Sequence, residues 1–103
     1  MSITDFANLL ESLGLPVACN RFNEPQKPPF LIYLDTSSDN FGADNIVFHE
    51  SINVDIELYS ETINDELENR IKQLLTENGI YYDWVRTWIE SEKIYQTNYE
   101  VSL

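Results

Sequence analysis

Residues 46–58, IVFHESINVDIEL, decide the fold. Ile46, Phe48, Ile52, Val54, Ile56 and Leu58 share one parity, broken only by Glu50, while Val47, His49, Asn53, Asp55 and Glu57 occupy the other. Successive strand side chains point to opposite faces, so this pattern describes a strand with one apolar and one polar side, as in a sheet covered on one face. At about 3.3 Å per residue such a strand is roughly 43 Å long, more than the ~34 Å width of a 100-residue globule. It must bend or break near Glu50 and Ser51, or protrude as a hairpin arm. A few residues later the period changes. Ile63, Leu67, Ile71, Leu74 and Leu75 recur at helical steps and predict a helix over 65–78. Asp65 and Glu68 read as its capping box and Asn78-Gly79 as its stop.

Working outward, TDFANLLESLG (4–14) predicts a short amphipathic helix with Thr4 as N-cap, an apolar stripe of Phe6, Leu9, Leu10 and Leu13, and Gly14 at its end. Pro16 prevents its continuation, and VACNRF (17–22) reads as a first strand. Pro25, Pro28 and Pro29 then fix φ and remove amide donors, so NEPQKPP (23–29) is a stiff connector that sets the angle of the strand FLIYLD (30–35). DTSSDNFGADN (35–45) is a loop by composition, with Phe41 alone in its middle. The C-terminal stretch is rich in Ile, Val, Thr, Tyr and Trp and predicts two strands, 80–89 and 93–102. Trp84 and Trp88, four apart, also permit a helix there. The expectation is one α+β domain over 1–103: two helices on a mixed or mainly antiparallel sheet of four to five strands, in the order α-β-β-β-α-β-β.

The 103-residue chain carries 18 acidic and 6 basic groups, a formal charge of −12. Such a surface repels phosphates, which argues against sequence-specific nucleic-acid binding. The lone Cys19 reads as a small buried hydrophobe and excludes an internal disulfide. One Cys and one His build no zinc site, and the N-terminus carries neither an export signal nor a membrane span. With Gly14, Gly42 and Gly79 as the only glycines, neither a dinucleotide nor a P-loop fingerprint can be written. His49, on the polar parity beside Asn53 and Asp55, is a solvated surface residue sooner than a catalytic base. Glu90 and Glu92 share a predicted strand face and in principle form an acid/base couple, but Lys93 follows at once and no pocket-forming glycines or second set of polar anchors is visible. Asp35, Asp39 and Asp44 lack calcium-loop spacing. No cofactor or catalytic residue is expected. The aromatics Phe41, Tyr81, Tyr82, Trp84, Trp88, Tyr95 and Tyr99 exceed what two small helices cover, and some suit a protein interface.

The motif order LGLPVA, EPQKPPFLIYL, DNFGADN, IELYS, LTENGIYYD and IESEKIYQTNYEV spans nearly the whole chain and resembles small head–tail cluster proteins of tailed phages and prophages of Gram-positive bacteria, tail terminator or tail completion-like. EPQKPPF followed by DNFGADN is its most specific part. The resemblance implies a non-enzymatic virion subunit, present in host cytoplasm during assembly, that forms a six-fold ring with itself and meets tail tube and head connector proteins. Another neck component stays open. The candidate interface comprises Phe41, Asp44, Asn45, Phe48, Tyr59, Trp88 and Tyr95. The rival reading is an acidic DNA mimic that inhibits a host nucleic-acid enzyme, and an enzyme comes third.

Overall fold

In the computed structural model, which describes residues 1–36 and 52–103, the odd/even pattern of the fold-deciding stretch is realised by a strand in which Val54, Ile56, Leu58 and Ser60 are buried. The elements are α1 (Ile3–Glu11), β1 (Val17–Cys19), β2 (Phe30–Asp35), β3 (Asn53–Ser60), α2 (Asp65–Glu77), β4 (Tyr82–Ile89) and β5 (Ile94–Ser102). They form the α+β architecture the sequence implied, with a five-stranded mixed sheet in the order β1-β2-β3-β5-β4. β1 runs parallel to β2, and every other neighbour is antiparallel. β3 and β4 are therefore parallel and joined through α2, and the β4–β5 hairpin slots β5 between them.

Both helices cover the same sheet face. Phe6 and Leu10 of α1 and Leu67, Ile71 and Leu75 of α2 meet Leu31, Val54, Ile56, Leu58, Tyr99 and Val101 in one core. Burying a Leu, Ile or Phe contributes about 1.5–3 kcal/mol each, so this layer carries the fold. Arg70 ties the helices by donating from Nη2 to the carbonyl of Leu13 at 2.8 Å.

Several local expectations are corrected. α1 begins two residues earlier than Thr4 implied, because Ser2 accepts from the Asp5 amide at 3.0 Å and is the N-cap. β1 stops at Cys19, where Asn20 takes φ 68° and turns the chain out of the sheet; Phe22 instead packs edge-on against Phe30. Cys19 is exposed: β1 is a three-residue strand at the edge of the sheet, with no further strand paired to it among the described residues. α2 is capped by Asn64, which accepts from the Leu67 amide at 3.0 Å, and Glu68 is drawn away to β4. Ile63 lies before that cap and is exposed. Glu90 and Glu92 lie in the β4–β5 turn, where Glu90 pairs with Lys93, so they share no strand face. The Trp84 segment is strand, not helix. The proline connector joins no strand or helix, as expected. Residues 46–51, with the predicted break at Glu50 and Ser51 and with His49, lie outside the described residues.

Candidate interface

The outer strand β4 supplies the first surface. Its pairing with β5 places Tyr82, Trp84, Arg86 and Trp88 on the helix side and Asp83, Val85, Thr87 and Ile89 on the open side. α2 organises the helix-side row. The Glu68 carboxylate, in a residue 3% exposed, accepts from Arg86 Nε at 2.9 Å, Arg86 Nη2 at 2.6 Å and the Thr97 hydroxyl at 2.9 Å. The Arg86 guanidinium holds the Glu68 carboxyl below the usual carboxylate range. One turn on, Lys72 Nζ sits 3.7 Å from the centre of the Trp84 ring, and the Arg86 guanidinium lies 5.4 Å from the same ring. Such contacts favour Trp most among the aromatics. Trp88 packs against Tyr95 with the rings tilted at 57° and centroids 4.7 Å apart, and its indole donates to Glu90 at 2.7 Å. Despite these supports, Trp84 and Trp88 remain 41% exposed, Val85 57% and Tyr81 76%. They are four of the six large exposed hydrophobics of the described residues, gathered on one strand and the residue before it.

The open side of the sheet is the second surface. Phe30 stacks on Tyr59 at 5.1 Å, and the Tyr59 hydroxyl accepts from Gln96 and donates to Glu57, both at 2.9 Å. Burial, with the Glu57 carboxylate beside it, pushes the Tyr59 phenol up to about 12. Asp55, Glu100 and Asp83 lie directly opposite one another on three adjacent strands. Burial, then the nearby Glu57 charge, raises the Asp55 carboxyl. The three carboxylates line an open depression of about 540 Å³ together with Thr36, Asn53 and Ser102. The strand positions of this face hold the carboxylates Asp55, Glu57, Asp83 and Glu100 and no Lys or Arg.

Of the residues singled out in the sequence, Trp88 and Tyr95 meet in one tilted ring pair, while Tyr59 is on the other side of the sheet. Phe41, Asp44, Asn45 and Phe48 lie outside the described residues. Tyr81 and Trp84 were counted among the surplus aromatics but not placed in the candidate interface, and Val85 and Arg86 were in neither group. Their signal was present: YYDWVRTWI has apolar residues at both parities, the pattern of a strand covered on both faces, yet it forms the sheet margin. Among the described residues, no group of three or more His, Cys, Asp or Glu is placed to hold a metal ion, and no helix is long and apolar enough to cross a membrane. No family model, curated protein or solved structure matches this chain.

Proposed function

We propose that the chain is a structural subunit of the neck or tail of a tailed phage or prophage, a tail terminator or tail completion protein that works as part of a ring at the head-proximal end of the tail. The observation that carries this reading, beside the motif resemblance, is the sheet face whose described strand positions bear Asp55, Glu57, Asp83 and Glu100 and no Lys or Arg. A ring that turned such a face inward would repel passing DNA and keep its phosphates from adhering. The exposed aromatics on the helix side of strand β4, Trp84 and Trp88, supply protein-binding surface away from that face. The test is deletion of the gene in a producing phage or lysogen, followed by electron microscopy. Filled heads unjoined to tails, or tails of uncontrolled length, are expected; normal joined virions would refute it.

The rival reading, an acidic mimic of DNA, draws on the Asp55–Glu100–Asp83 row. Neighbouring strands are about 4.8 Å apart, so the row is an ordered line of charge. A duplex shows two such lines a groove apart, and the strand positions of this face supply one. Recovery of a host nuclease or polymerase from lysate, released by raised salt, would favour the mimic.

A further inference from the structure

We propose that β4 is an interaction edge at which a second copy of this chain adds, strand to strand and antiparallel, across a two-fold axis at Val85. An eight-residue edge strand turns about four amide and four carbonyl groups outward. Proteins ordinarily blunt such an edge with prolines, bulges or free lysines. β4 has none of these: its one cation, Arg86, is bound to Glu68, and it carries exposed apolar groups on both faces. Backbone groups of this kind are satisfied best by another strand, and the apolar groups flanking them fit a strand that also buries side chains.

The choice of a second copy rests on charge and register. Within residues 81–89, Asp83 and Arg86 cancel, so the strand is formally neutral in a chain of −12. Two copies can meet there without bringing their acids face to face. With helices on the same side of a continuous sheet, paired residues must have the same parity. Centring the axis on Val85 then pairs all of residues 81–89: Tyr81 with Ile89, Tyr82 with Trp88, Asp83 with Thr87, and Trp84 with Arg86, each twice. No like charges are opposed, and two further Trp–Arg contacts form. An axis at Arg86 would set two guanidiniums against each other. Pairing β4 with the opposite edge of another copy offers only the three residues of β1, bounded by Pro16 and the turned-out Asn20. From the exposed fractions of Trp84, Trp88, Tyr81 and Val85, roughly 400 Å² of side chain per copy becomes covered. That is about half the ~800 Å² of a standard partner face. The association is accordingly weak and strengthens as salt screens the −12 charge of each copy.

The proposal is independent of the tail reading, being decided on purified protein. Sedimentation of the full chain from about 5 μM to about 1 mM should show a monomer–dimer equilibrium that shifts to dimer with added salt. Val85→Lys, at an exposed position, should weaken it about tenfold or more by placing two ammonium groups at the axis, with an unchanged circular dichroism spectrum. In a Cys19→Ser background, Val85→Cys should form a disulfide-linked dimer under mild oxidation. Asp83→Cys should not, because its symmetry mate lies four residues away along the partner strand. A protein that stays monomeric throughout, a dimer indifferent to Val85→Lys, or equal cross-linking of the two cysteine variants would overturn the proposal; the first outcome would leave the edge to a strand of another protein.

Discussion

Replacing Glu68 by Gln keeps its volume and opens no cavity, but removes the charge that receives three hydrogen bonds at 2.6–2.9 Å. Glu68 is 3% exposed and Thr97 beside it 2%, which leaves little access for water to take over. Hydrogen bonds to a charged group contribute about 1.5–3 kcal/mol, and they are not additive here because Gln with its oxygen in the place of Oε2 still accepts from Arg86 Nε and Thr97 and loses the bond from Arg86 Nη2. A loss of about 2 kcal/mol at pH 7 is expected, roughly 8–16 °C in melting temperature for a domain of this size. Since the folded-state pKa of Glu68 is depressed, the ionic part of this stabilisation is complete above the unfolded value of about 4.3. It is lost as pH falls through the folded value. The gap between wild type and Glu68→Gln should therefore narrow as pH drops from 7 toward 3. The pairwise comparison matters because acid also relieves the repulsion of the −12 chain in both proteins. Urea titrations at a series of pH values, extrapolated to water, measure it. A gap under about 0.5 kcal/mol at pH 7, or one constant across the series, would refute the view that Glu68 holds α2 to β4 by charge.

Glu100→Gln removes the middle carboxylate of the Asp55–Glu100–Asp83 row and should stabilise by about 0.2–1 kcal/mol; the gain, read from melting curves, should shrink with salt. Ile71→Ala, in the centre of the helix–sheet layer and 0% exposed, should cost about 2–5 kcal/mol by urea denaturation. Gly79 sits at φ +69° with nothing within 4 Å of an added Cβ, so Gly79→Ala should cost about 1–2 kcal/mol from backbone conformation alone. A larger loss would show a contact that the geometry does not contain.

Periodicity made the element order legible, because β3 and α2 each bury one face and repeat their apolar residues accordingly. It was blind to caps decided by three-dimensional competition. Asp65 and Glu68 have capping-box spacing, but an Arg eighteen residues downstream of Glu68 outbids the helix end for its carboxylate. The length of β1 was overread because Phe22 is apolar for a contact with Phe30, not for a place in a strand. The β4 margin was passed over for a related reason. Its composition predicted a strand, and a strand with apolar residues at both parities carries no signal that the sheet ends there. Trp88 and Tyr95 were chosen as spare aromatics, and the register makes them cross-strand partners.

The two margins of the sheet are unlike: three residues closed off by Pro16 and a left-handed Asn20 on one side, eight unobstructed residues on the other. Among the described residues, lateral growth therefore has a single point of entry. A segment that occupies it leaves no fresh docking strip of comparable length among those residues, so strand-by-strand extension of this sheet toward an endless fibre is denied a second attachment point there.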